Sequence, residues 1–137
     1  MTGRQFTSVA EVMSQKLQTI NGLATVQQAI DQMKEARVGS LIIERRHDGD
    51  EFGLVTVYDI AAKVVAENRS FDRVSVYEIM TKPVVTVSAD MNIKYAIRLL
   101  ARLCMTRALV TKGDELVGIV TQRDMVVRFA DDSHRPA

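Results

Sequence analysis

The sequence predicts an α+β fold made of two tandem copies of one βαββα unit, packed sheet to sheet about a pseudo-twofold axis. Two observations predict it. Sliding the chain by 67 residues lays Ser8-Val9-Ala10-Glu11-Val12-Met13 on Ser75-Val76-Tyr77-Glu78-Ile79-Met80, Thr19 on Thr86, and Ala29-Ile30 on Ala96-Ile97. Past Glu44 the register drops to 65, and Gly53, Val55, Thr56 and Asp59 fall on Gly118, Val120, Thr121 and Asp124. Self-similarity at a nearly fixed period marks a repeat architecture. The second observation is that each copy carries one apolar stripe at helical spacing, followed by two short apolar runs separated by turn residues. A unit of about 60 residues buries too little surface to be comfortable alone, so the two copies should share a core.

Each copy opens on a serine, Ser8 or Ser75, with a glutamate three residues on, Glu11 or Glu78. That is the reciprocal spacing with which a helix starts. A short extended piece follows, 17–20 and 84–87, and then a longer helix capped by Thr25 or Asn92. Its stripe is Val26, Ala29, Ile30 and Met33 in one copy and Ile93, Ala96, Ile97 and Leu100 in the other. Strands over 40–44 and 52–55, joined through Asp48-Gly49, make the first hairpin. Strands over 108–111 and 116–120, joined through Lys112-Gly113-Asp114, make the second. A closing helix begins after Thr56 and after Thr121. The repeats span 8–66 and 75–130, with a polar connector over 67–74 and a frayed polar tail over 131–137.

Composition narrows the function. The chain is 47% hydrophobic and 26% charged, which suits a soluble globular protein. No apolar run approaches the roughly 20 residues of a membrane span. Eighteen Lys and Arg against 17 Asp and Glu leave a net charge of +1, so there is no bulk electrostatic case for nucleic acid or an anionic membrane. The start lacks the apolar core of a secretory signal and the single cysteine cannot form an internal disulfide, so the cytoplasm is the expected location.

The pattern Gly-apolar-apolar-Thr-x-x-Asp closes both copies, as Gly53-Leu54-Val55-Thr56-Val57-Tyr58-Asp59 and Gly118-Ile119-Val120-Thr121-Gln122-Arg123-Asp124. Val12-Met13-Ser14 and Ile79-Met80-Thr81 precede the first strands, and Val38-Gly39-Ser40-Leu41-Ile42-Ile43 leads into a hairpin. On these residues the chain resembles the CBS domain family, named from the regulatory part of cystathionine beta-synthase, as a stand-alone tandem pair. The resemblance implies a regulatory module that binds adenosine-containing nucleotides in the cleft between the copies, the motif Asp accepting from ribose hydroxyls and the Thr bonding ribose or phosphate. Carried onto this chain, one site would use Thr56 and Asp59 with Thr81, Val84 and Val85. The other would use Thr121 and Asp124 with Ser14, Leu17 and Gln18.

The residue types suit that chemistry. A carboxylate can accept from two vicinal hydroxyls, each charge-assisted bond being worth about 1.5–3 kcal/mol. The N-terminus of the closing helix favours a phosphate, and Arg107 and Arg123 are its candidate cationic partners. Tyr58 stands where the second copy has Arg123, so the sites should differ, with the Asp124 site the better anion binder.

Plainer roles stand beside these. A Thr with an Asp three residues on is a serviceable helix cap, worth about 1 kcal/mol, and arginines are most often solvated surface groups. Arg45-Arg46-His47 reads as a solvated loop. His47 and His134 have no partner at metal-ligand spacing, so no metal is expected. Cys104 reads as a small buried or half-buried hydrophobe, and Met33, Met80, Met91 and Met105 as core or dimer-interface filler.

The function implied is a sensor of adenosine nucleotides acting in signal transduction, with AMP the first expectation and ATP or NAD next, and with no catalytic cofactor. Its output would pass through an unidentified protein partner or its own assembly, expected to be a homodimer. No nucleophile with a base, and no metal cluster, suggests an enzyme. The alternative is a structural or interaction scaffold with vestigial clefts. The first copy favours it, lacking both the proline that follows Lys82 and the neighbouring arginine.

Overall fold

A computed structural model describes residues 6–133. Its described residues form two three-stranded sheets and four α-helices, a mixed α+β fold. In the first sheet β1 (Thr19–Ile20) runs parallel to β2 (Ser40–Ile43), and α1 (Val26–Ala36) makes the crossover. β3 (Gly53–Thr56) returns antiparallel to β2, with Ser40 opposite Thr56. The second sheet repeats this with β4 (Thr86–Ser88), α3 (Ile93–Arg102), β5 (Arg107–Lys112) and β6 (Glu115–Thr121), and Arg107 stands opposite Thr121. Lys112 pairs with Glu115, so Gly113 and Asp114 alone turn the hairpin, and Gly113 takes the positive φ of 64° that such a turn demands.

The helices start where local chemistry tells them to. Thr25 Oγ1 accepts from the Gln28 N–H at 3.1 Å while Gln28 Oε1 accepts from the Thr25 N–H at 2.8 Å, and Asn92 Oδ1 accepts from the Lys94 N–H at 2.9 Å. Ser8 and Ser75 open only single 3-10 turns, Val9–Glu11 and Val76–Glu78, in which each glutamate accepts from its serine N–H at 2.8 Å. The closing helices differ. α2 (Val57–Ile60) passes into a π-helical turn over Ala61–Val65, whereas α4 runs unbroken from Gln122 to Ser133. Residues 131–133, read from the sequence as tail, therefore belong to α4. Arg128 and Asp132 form an ion pair one turn apart there, and Asp132 Oδ2 accepts from the Thr7 hydroxyl at 2.6 Å. His134 lies outside the described residues.

The chain divides into two compact units that do not follow the repeat boundaries. One joins residues 6–16 to 85–133, and the other is Leu17–Val84. The lead-in turn of each copy is thus hydrogen-bonded into the unit that holds the other copy's sheet. Val9 and Ala10 N–H donate to the Met91 and Ala89 carbonyls at 2.8 and 3.0 Å. Val76 and Tyr77 N–H donate to the Ala24 and Gly22 carbonyls at 2.8 and 3.0 Å. Each unit has its own core. In one, Val9 packs with Val87, Ile93, Ala96, Leu100, Val110 and Met125. In the other, Val74, Val76 and Ile79 pack with Val26, Ala29, Met33, Leu41, Ile43, Val55 and Val64. Ile30 and Ile97 of the helical stripes are only partly buried.

Cys104 is exposed, not buried as its place after an apolar stripe suggested. The reason is the end of α3, where Cys104 takes φ 54° and turns away from the stripe, leaving Met105 to pack on the core.

Candidate functional site

The closing motifs put their Thr at the end of a strand and their Asp in the first turn of a helix, so the pair meets wherever that turn forms. In the first copy, Thr56 Oγ1 accepts from the Asp59 N–H at 3.1 Å. Asp59 Oδ2 accepts in return from the Thr56 N–H and hydroxyl at 3.0 and 3.1 Å. Lys63 Nζ stands 3.4 Å from the other carboxylate oxygen, and the Asp59 side chain is only 8% exposed. This carboxylate is occupied from within.

In the second copy, Thr121 Oγ1 accepts from the Asp124 N–H at 3.0 Å, the same half of the cap. The carboxylate does not close the other half. It is 52% exposed, and Arg123 lies 3.9 Å from it. Asp124 thus presents a half-exposed carboxylate, where that of Asp59 is nearly covered.

An open groove of about 430 Å³ runs beside the start of α4, lined by Thr106, Arg107, Thr121, Gln122, Arg123, Val126 and Val127. It brings Arg107 and Arg123 together with Thr121. Asp124 and Ser14 are not part of that lining, and Thr121, which accepts from the Asp124 N–H, links the groove to the motif aspartate. Thr106 and Gln122 were not read as site residues. Their backbones clamp the groove, the Gln122 N–H donating to the Thr106 carbonyl at 2.7 Å, a link that no side-chain motif records. Val126 and Val127 follow from Gln122 and Arg123 at i+4 and could have been found from that spacing.

The other site residues take these places. Ser14 pairs with Ile119 through both backbone groups, at 2.8 and 3.0 Å, beside the strand that ends in Thr121. Thr81 does the same with Leu54 at 2.8 and 3.0 Å, beside the strand that ends in Thr56. Leu17 is half-buried. Gln18 lends its carbonyl to the Ile42 N–H at 2.8 Å and its side chain to Gln32. Val84 is buried, and the Val85 carbonyl accepts from the Leu109 N–H at 3.0 Å. At the ladder position of Arg107 the first copy has Ser40, and at that of Arg123 it has Tyr58. Among the described residues, no group of three or more His, Cys, Asp or Glu is placed to hold a metal ion, and no helix is long and apolar enough to cross a membrane.

Known proteins share this fold. The chain is similar to the hexameric CBS-CP12 protein from bloom-forming cyanobacteria, with 38% identity and a TM-score of 0.89 over 98% of this chain and 78% of that one. A CBS domain pair solved in complex with 5′-methylthioadenosine and S-adenosyl-L-methionine is 25% identical, with a TM-score of 0.79 over 93% of this chain and 98% of that one. An uncharacterised protein of Methanopyrus kandleri is 32% identical over 87% of this chain, which spans 61% of that protein's length. The CBS domain family model matches residues 9–66 and 76–131. With both repeats matched, the chain belongs to the CBS domain family and carries two copies of the domain.

Proposed function

We propose that the protein is a regulatory sensor that binds an adenosine ligand at the Thr121–Asp124 end of the chain. The observation that carries the reading is the half-exposed carboxylate of Asp124, held by Arg123 only at 3.9 Å, in the same turn as a groove that Thr121, Arg107 and Arg123 line. The CBS pair bound to 5′-methylthioadenosine and S-adenosyl-L-methionine supports the ligand class. Within that class AMP is proposed first, then ATP or NAD, because Arg107 and Arg123 offer cations to a phosphate. A role in signalling through a partner protein or through assembly goes with the reading, as does a homodimer. The 38% identical neighbour is a hexamer, so sedimentation velocity has to separate those two states. A lone exposed thiol suits a reducing compartment, and the cytoplasm is the location proposed.

A thermal-shift screen against AMP, ADP, ATP, NAD and S-adenosylmethionine, with GMP as control, tests the reading. A ligand at about 100 times its Kd stabilises the fold by about 2.7 kcal/mol, a rise of several degrees for a chain of this size. Asp124→Ala should abolish most of the shift, and Arg107→Ala should weaken AMP far more than adenosine. Hydrolysis of the nucleotide on incubation would replace the sensor with an enzyme. A second reading, a scaffold with vestigial clefts, is favoured by the self-satisfied Asp59. No shift with any ligand would select it.

A further inference from the structure

Both copies place a cation on the closing helix four residues beyond the motif aspartate, and they use it differently. In the first copy Lys63 Nζ donates to the Ile79 carbonyl at 2.9 Å and lies 3.4 Å from Asp59 Oδ1. In the second copy Arg128 is drawn away to other acids. Its Nε lies 3.3 Å from Asp132 Oδ1 and its Nη2 lies 3.4 Å from Glu11 Oε1. Asp59 therefore has one oxygen on Thr56 and the other on Lys63, inside a nearly covered side chain, while Asp124 keeps an exposed carboxylate.

We propose that Lys63 closes the first-copy site, so that the chain binds one adenosine ligand, at Thr121–Asp124. The proposal rests on the ligand reading above and names which of the two motifs is open. A ribose hydroxyl reaching Asp59 would have to compete with the Thr56 bonds and the Lys63 ammonium for a carboxylate that is only 8% exposed, and partners lost in a covered place are costly to replace. At the positions of Arg107 and Arg123, Ser40 and Tyr58 provide no cation to offset that exchange with phosphate binding. Lys63 itself is 45% exposed, so shortening or neutralising it removes the strut without excavating the core.

Isothermal titration of the full chain with AMP, and separately with S-adenosylmethionine, decides between one open motif and two. The expected result is one equivalent per chain, lost in Asp124→Ala. Lys63→Met should add a second, weaker equivalent, and the Asp124→Ala/Lys63→Met double variant should recover one. Lys63→Gln, which keeps a donor for the Ile79 carbonyl, serves in place of Lys63→Met if circular dichroism shows that variant unfolded. Two equivalents in the wild type would overturn the closure, as would one equivalent retained in Asp124→Ala or no second equivalent in a folded Lys63 variant. Absence of binding in the wild type and in every Lys63 variant is a separate result and overturns the adenosine reading itself.

Discussion

A Cβ placed on Gly118 would lie 2.5 Å from the Met13 sulfur and 3.0 Å from the Ser14 carbonyl oxygen; one on Gly53 would lie 2.9 Å from the Met80 sulfur and 3.2 Å from Ile43. The methionine of each lead-in segment and the glycine of a closing motif are therefore two sides of one contact. The methionine side chain can yield, but the Ser14 backbone is pinned to Ile119 by two hydrogen bonds. Gly118→Ala should destabilise by about 1–3 kcal/mol, the range for overpacking, and by more than Gly53→Ala, as urea unfolding would measure. Asp50 sets a different test. The Arg46 N–H, the Lys82 ammonium, the Arg46 guanidinium and the Glu51 N–H hold its carboxyl well below the usual carboxylate range, outweighing the opposing effect of burial. A depressed folded-state value gives stability that is present above the unfolded value, about 3.9, and is lost as pH falls through that value toward the folded one. Between about pH 5 and pH 3, Asp50→Asn should flatten the fall in Tm; an unchanged acid slope would deny Asp50 a part in it.

At the scale of elements, α1 and α3 end in the same way. Arg37 and Cys104 take φ 57° and 54°, and the next N–H reaches back to close the helix: Val38 to the Met33 carbonyl at 3.1 Å and Met105 to the Leu100 carbonyl at 2.9 Å. This is the Schellman closure, whose left-handed residue is ordinarily glycine. A side chain there costs about 1–2 kcal/mol, of which glycine's extra freedom in the unfolded chain returns a part. Arg37→Gly and Cys104→Gly should each raise Tm by about 2–4 °C, read by calorimetry. The starts of these helices were legible because Thr25 with Gln28, and Asn92, act within one turn of chain. Their ends were not, since neither Arg37 nor Cys104 advertises a left-handed residue, and the exposure of Cys104 followed from that unseen turn.

Over the whole molecule, the repeat and its sheets were legible because apolar period and turn residues are local. The Thr–Asp pairing was legible for the same reason. That the sites differ was legible in Tyr58 against Arg123, but not that Arg128, at the place of Lys63, pairs with Glu11 and Asp132, since Glu11 is brought to Arg128 only by folding. The exchanged lead-in turns belong to the same class. Val9 and Ile79 are both fully buried, each in the unit that holds the other copy's sheet. That exchange predicts where damage travels. Ile79→Ala removes a packed side chain at about 2–5 kcal/mol, and should speed hydrogen exchange in the hairpin over 40–56 first. Val9→Ala, at about 1–2 kcal/mol for two lost carbons, should do so over 107–121. Locally unfolding units exchange as blocks, so mass spectrometry of the two variants can tell the patterns apart. If each substitution instead loosened the hairpin of its own repeat, the repeats would be the cooperative units and the exchanged turns mere surface attachments.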